Sequence, residues 1–211
     1  VHCREADRPL FRIGRKPNPW LWPDWLRAGG DRTFGNRWDD PSGAYRVLYA
    51  ASDLLGAFVE VLARYRPDPH VVQELAQIDG DGEDALPPGW IDRAWWEARL
   101  VGEATVRGRF VDVGHSDSLA QLQRGLAARL VHHGIRELDG AAIRTSAPRR
   151  LTQEISRYVY ERTDVRGARA WDGISYLSRL GDDFRNWAIF EPAHSAQLAS
   201  FAGDVRLLEI G

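Results

Sequence analysis

The chain has a single cysteine, Cys3, and a single lysine, Lys16, in 211 residues. A lone cysteine excludes an intrachain disulfide framework and suits a reducing compartment, so the expected location is the cytoplasm. No apolar run approaches the roughly 18–20 residues of a membrane span. The opening VHCREADRPL is charged and has no apolar segment, unlike a secretory signal. Charge of one sign is also missing in bulk. The net charge of −2 gives no broad pull on nucleic acid or anionic membrane, so direct nucleic-acid binding is not expected.

Several chemical signatures are missing too. There is no Walker A sequence and no GxGxxG after a strand, so neither common nucleotide fingerprint is present. HExxH and CxxC are absent, and the adjacent His132 and His133 would point about 100° apart on a helix. No metal site is expected. GHSDS (114–118) falls one residue short of a GxSxG nucleophile elbow and reads as a turn ahead of a helix.

What is there is an ordinary globular composition with two biases. The length suits one large domain or two small ones. Basic residues are almost all arginine, which reads first as mutational and alternatively as a bidentate grip on phosphate. Nine tryptophans, some clustered in WLWPDW (20–25) and WW (95–96), suit core or wall positions and also offer flat faces for a ring. DGDGED (79–84) with LPPGW (86–90) reads as a surface loop or a weak subdomain joint.

Strand and helix patterns interleave without regular alternation. PLFRIGR (9–15) and YRVLYAA (45–51) read as strands. Ser52 is placed to cap a helix running from Asp53 to a stop near Arg66-Pro67. ATVRGRFVDV (104–113) reads as a strand or hairpin, 118–134 as one amphipathic helix ended by Gly134, and 150–163 as another. WDGISYLSRL (171–180), NWAIFEP (186–192) and DVRLLEI (204–210) read as late strands. The expected fold is α+β, a single domain spanning 1–211 with a mixed, mostly antiparallel sheet and flanking helices.

Three places carry more polarity than their elements need. FGNRWDDPSG (34–43) is a turn that holds a cation and an indole, Arg37 and Trp38. On the helix from Asp53, the apolar stripe is Leu54, Phe58, Val61, Leu62 and Tyr65, and Glu60 lies nearly opposite it. Glu60 has a plain explanation as a solvated partner of Arg64. Its other neighbours, Gly56, Ala57 and Ala63, are all small and leave a clearing around the carboxylate. Arg12, in mid-strand, is a solvent-facing residue or, if that face is a cleft, an anion clamp. Tyr176, Ser178, Arg179 and Asn186 form a third polar group, explained equally by simple strand alternation.

Together these segments resemble the RES family, named for a shared Arg, Glu and Ser. The resemblance rests on LFRIGR with Arg12, on FGNRWDDPSGAYRVLYAASDLLGAFVEVLARY, and on WDGISYLSRLGDDFRNWAIFEP, which span about 9–192. Residues 66–170 carry no motif. The resemblance implies an ADP-ribosyltransferase-like fold and a toxin that consumes NAD, by phosphorolysis, by hydrolysis or by modifying a protein. It also implies an Xre-like antitoxin partner. By matching position it assigns Glu60, Tyr49 and Arg12 to catalysis, and Arg37, Ser178, Arg12 and Tyr49 to NAD binding. Ile13 departs from relatives that carry tyrosine there.

The implied chemistry suits those residue types. Breaking the nicotinamide–ribose bond builds positive charge on the ribose while nicotinamide leaves neutral. A carboxylate such as Glu60 stabilises that charge, and no general acid is needed. Arg12 and Arg37 suit the pyrophosphate. Tyr49 offers a ring to nicotinamide or a phenol to the ribose, and Ser178 a hydroxyl to the carboxamide or a phosphate. The acceptor is water, inorganic phosphate (with Arg15 or Arg179 in support) or a protein side chain. The alternatives are therefore a glycohydrolase, a phosphorylase, a protein ADP-ribosyltransferase, or a catalytically silent protein-binding module. Trp38 is expected to pack the loop rather than touch ligand.

Overall fold

The computed structural model describes residues 1–75, 89–145, 148–192 and 206–209. DGDGED and most of LPPGW lie outside the described residues. Strands β1 (Cys3–Arg4), β2 (Leu10–Arg15) and β3 (Val47–Ala51) come first, followed by helices α1 (Leu54–Leu62), α2 (Pro69–Leu75) and α3 (Arg93–Glu97). Then come β4 (Arg99–Ala104) and β5 (Phe110–Asp112), helices α4 (Ser116–Gly125), α5 (Ala127–His132), α6 (Gly140–Thr145) and α7 (Arg149–Tyr160), and strands β6 (Gly173–Ser178), β7 (Gly181–Phe190) and β8 (Arg206–Glu209).

All eight strands join one sheet in the order β1-β5-β6-β7-β3-β2-β4-β8. Only β5 and β6 pair in parallel, and the other neighbours are antiparallel. The fold is therefore α+β with a mixed, mostly antiparallel sheet, as the interleaved patterns implied. β2 and β4 share six register positions, but β2 and β3 share one, Phe11↔Ala51. Beyond that point the two central strands part.

Side-chain alternation divides the core between two faces. On one, Val47, Ile174, Ala188 and Phe190 meet Leu122, Leu126, Leu130, Leu151, Ile155 and Val159 from α4, α5 and α7. The same face carries a smaller cluster of Ile13, Ala51 and Val101 beneath Ala57 of α1. On the other face Leu48, Ala50, Phe110 and Trp187 pack with Trp20. The chain before Trp20 lies very close to the strands. A Cβ on Gly102 would come within 2.5 Å of the Trp20 indole nitrogen, and one on Gly14 within 2.6 Å of Pro19. Two glycines facing this segment permit that approach.

Four local expectations change. The cap of α1 is Asp53, whose carboxylate accepts from Gly56 N at 2.6 Å, while Ser52 Oγ accepts from the Trp187 indole. Two carboxylate oxygens outcompete one hydroxyl for the free amides of a helix start. The stretch 104–113 is not a hairpin. Ala104 ends β4 and Phe110 starts β5, and the two strands lie in different halves of the sheet. The helix expected over 118–134 is two helices with a break at Leu126 (φ −112°, ψ 12°). α7 crosses there so closely that a Cβ on Gly125 would strike the Tyr158 hydroxyl. Finally, α1 docks on the sheet through its small-residue face. Gly56 and Ala57 are its buried residues, while Leu54 and Leu55 are exposed. Of the apolar stripe read from spacing, Phe58 and Val61 pack against the sheet cluster, but the most buried positions are the small Gly56 and Ala57, where the helix comes nearest the sheet.

Candidate functional site

Where β2 and β3 part, a cavity of about 850 Å³ opens. Phe11 to Arg15 and Tyr49 to Ala51 form its strand walls, and Ala57, Glu60 and Val61 of α1, with Arg64 in the 3-10 turn (63–65) that continues it, line one side. Those positions fall at i, i+3, i+4 and i+7, one continuous face. The clearing around Glu60 is thus part of a cavity wall.

Glu60 is held from the sheet. Ser178 Oγ donates to Glu60 Oε1 at 2.5 Å, and Asn186 Nδ2 donates to the same oxygen at 2.8 Å. Both donors are buried, and hydrogen bonds to a carboxylate are among the stronger ones. Both ties fall on Oε1, so Oε2 remains for a ligand. The i,i+4 ion pair with Arg64 is not among the bonds formed. Ser178 Oγ also accepts from Leu180 N at 2.9 Å, which fixes the hydroxyl rotor in the β6–β7 turn. Ser178 does not line the cavity; it stands behind Glu60, whereas Asn186 does line it. The expectation that Ser178 contacts a carboxamide or phosphate gives way to one of positioning.

Arg12 and Arg37 both line this cavity. Arg12 Nε donates to Pro19 O at 2.7 Å and Nη1 to Tyr49 O at 2.6 Å, so it spans the gap between the parted strands. Two of its donors are committed to the protein, and the others remain for an anion. Burial pushes its guanidinium down to about 10, still a cation at neutral pH. Arg37 rests against the rings of both Trp38 and Tyr176, its Cζ 5.0 Å from each centroid, and donates through Nη2 to Ile143 O. Burial lowers its pKa, and the Tyr176 phenol and the Glu60 charge oppose that shift. A guanidinium already held by two ring contacts and a hydrogen bond loses little freedom on binding, which favours its use as a fixed anion site.

Of the two roles expected for Tyr49, the ring contact stays open and the phenol contact is obstructed. Its ring lines the cavity, but its hydroxyl donates to Asp39 Oδ1 at 2.8 Å and accepts from Trp38 N at 2.9 Å. Burial and the neighbouring Asp39 charge raise the phenol well above its usual range, so it stays protonated. A ribose contact through the phenol would have to displace one of these bonds. The hydroxyl anchors the loop that presents Arg37.

That loop is tied at every polar residue. Asp39 Oδ2 accepts from Asn36 N at 2.7 Å, and Asp40 Oδ2 accepts from Ser42 Oγ and from Ala44 N. Trp38 is fully buried and packs in the core, as expected. From α7, Ser156 Oγ donates to Trp38 O at 2.5 Å and Gln153 Nε2 to Asn36 O at 3.2 Å. Helix α7 lies in the stretch that carried no motif. Its register of Arg149, Gln153 and Ser156 on one face was the signal, visible only with the loop as partner.

The cavity is strongly positive although the chain is not. Nine of its lining residues are Arg or Lys, against two carboxylates, Asp24 and Glu60. No group of three or more His, Cys, Asp or Glu suited to a metal occurs among the described residues. Among the same residues, no helix is long and apolar enough to cross a membrane.

The RES domain family model matches residues 9–207. The chain belongs to the RES domain family. The match covers nearly the whole chain and includes every residue of the site just described. No curated protein matches the chain, and no solved structure does. RES domains are generally linked to toxin–antitoxin systems. In this RES domain, Arg12 and Glu60 border one cavity, and Ser178 braces the glutamate from behind.

Proposed function

We propose that this RES domain consumes NAD by cleaving its nicotinamide–ribose bond, as a toxin held in check by a cognate Xre-like antitoxin. The observation that carries the reading is Glu60: a carboxylate oriented by Ser178 and Asn186, in a cavity where nine Arg or Lys side chains face only one other carboxylate, Asp24. A volume of about 850 Å³ is in the range of small-molecule sites and suits a dinucleotide. The arginines meet the pyrophosphate, and Glu60 meets the ribose. As the bond to nicotinamide stretches, positive charge grows on the ribose C1′ and O4′. A preorganised carboxylate stabilises that charge more in the transition state than in the ground state. Nicotinamide departs neutral with the bonding electron pair, so no acid is required. Water, which gives up a proton to solvent, or inorganic phosphate then bonds to that anomeric carbon and gives ADP-ribose or its 1″-phosphate. The ADP-ribosyltransferase-like architecture and the cytoplasmic location belong to the same reading.

The test is incubation of pure protein with NAD, with and without inorganic phosphate, followed by separation of products. Nicotinamide should appear together with ADP-ribose or ADP-ribose 1″-phosphate. Undiminished NAD under both conditions refutes the proposal.

A further inference from the structure

Three polar side chains of the sheet face α1 around Glu60. Tyr176 and Ser178 are two residues apart on β6 and share a face, and Asn186 of β7 stands directly opposite Tyr176. Ser178 and Asn186 spend their donors on Glu60 Oε1. Tyr176 does not, although these neighbours place it beside the same carboxylate. Its side chain is buried, only 6% exposed, and lines the cavity.

Buried phenols normally have a hydrogen-bond partner. Among the described residues, the Tyr176 O–H donates to none. The Trp38 indole N–H stands near the phenol oxygen without closing a hydrogen bond, and as a donor it leaves the phenol proton free. Burial and the Glu60 charge hold this phenol above its usual range against the pull of Arg37, so the proton is present at neutral pH. Tyr49 differs on this point, because its oxygen both donates to Asp39 and accepts from Trp38 N.

Position names the acceptor. Arg37, assigned to the pyrophosphate, rests on the Tyr176 ring with its Cζ 5.0 Å from the centroid. Tyr176 therefore touches the phosphate-binding cation and neighbours the carboxylate that meets the reacting carbon. In a dinucleotide, the group that joins that carbon to the pyrophosphate is the nicotinamide ribose, and its hydroxyl oxygens accept hydrogen bonds. We infer that the Tyr176 O–H donates to a hydroxyl of the nicotinamide ribose, so that Tyr176, and not Tyr49, is the phenol that recognises the substrate sugar. With Glu60 Oε2 accepting from the same sugar, the ribose is held by one donor and one acceptor. The inference rests on the NAD-cleaving reading above.

Binding of ADP-ribose and of the β-methyl ester of ADP, followed by calorimetry, tests it without turnover. The two ligands carry the same charge on the pyrophosphate and differ by the ribose. ADP-ribose should bind at least about tenfold tighter, as expected for one bond to a charged carboxylate and one from a phenol. Tyr176→Phe keeps the ring against Arg37 and removes only the oxygen. In that variant, shown to be folded by its melting curve, the advantage of ADP-ribose should shrink by about 3- to 10-fold. The value of kcat/KM for NAD should fall by at least the same factor. Equal binding of ADP-ribose and the ester by the unaltered protein overturns the inference, whether or not the variant folds. An advantage that survives undiminished in folded Tyr176→Phe overturns it as well. Loss of the advantage in Tyr176→Phe, with no turnover of NAD by the unaltered protein, supports the ribose subsite and refutes the cleavage reading. Turnover of NAD with an advantage indifferent to Tyr176 does the reverse.

Discussion

Asn186 offers a graded test of how Glu60 is held. Its amide donates to Glu60 Oε1 at 2.8 Å from a buried position on β7. In Asn186→Ala that donor is lost, and Ser178 alone orients the carboxylate. A hydrogen bond to a charged group contributes about 1.5–3 kcal/mol, so kcat should drop roughly 10- to 100-fold if orientation matters fully in the transition state. KM should move less, because pyrophosphate contacts are untouched. Asn186→Asp is the harsher change. It places an oxygen where the amide nitrogen was, and two unit charges 2.8 Å apart repel by about 6 kcal/mol at an effective dielectric constant of roughly 20. Either Glu60 swings away or the pair takes up a proton, and both outcomes remove the fixed carboxylate. Nicotinamide release at neutral pH, with a melting curve for each variant, reads the result. Activity of both folded variants within twofold of the unaltered protein would refute the idea that Glu60 must be held.

Two further predictions concern the loop that presents Arg37. Tyr49→Phe removes one bond to Asp39 and one from Trp38 N, and leaves a buried carboxylate with one partner fewer. A loss of about 1–3 kcal/mol, or several degrees in Tm, is expected by thermal denaturation. Asp39→Asn addresses pH. Burial raises the Asp39 carboxyl above its usual value, against the bonds from Asn36 and Tyr49. The folded state therefore holds this proton more tightly than the unfolded chain. The group's contribution to stability is fully present below the ordinary carboxylate pKa and is lost as pH rises through the raised folded value. Melting curves across that acidic window should show the unaltered protein losing stability with rising pH relative to Asp39→Asn. A pH-independent difference would contradict the assignment.

Strands and the loop–strand–helix unit were legible because each has local cues. Alternation marks β2, a turn signal precedes β3, and small residues surround Glu60 on α1. The docking face of α1 was read only in part, through Phe58 and Val61, since spacing ranks residues by hydrophobicity and cannot register how near the sheet comes. Leu55 is exposed while Gly56 is buried for that reason. The break at Leu126 was invisible for a similar reason: it depends on α7 crossing at Gly125. Asn186 and Ser178 looked like ordinary wet-face alternation, yet both face inward onto a carboxylate more than a hundred residues away in sequence. The arginine bias had been most simply mutational. Pairing β2 with β4 brings Arg15 and Arg99 together, and only the fold reveals that scattered arginines share one cavity.

The central claim is that the Glu60 carboxylate stabilises the departing ribosyl cation. Glu60→Gln keeps the shape and an oxygen for the Ser178 and Asn186 donors but removes the charge. Nicotinamide released from NAD should be rapid with the unaltered protein and reduced by at least roughly a hundredfold in folded Glu60→Gln, with NAD still binding. Equal release by the two proteins would contradict the account.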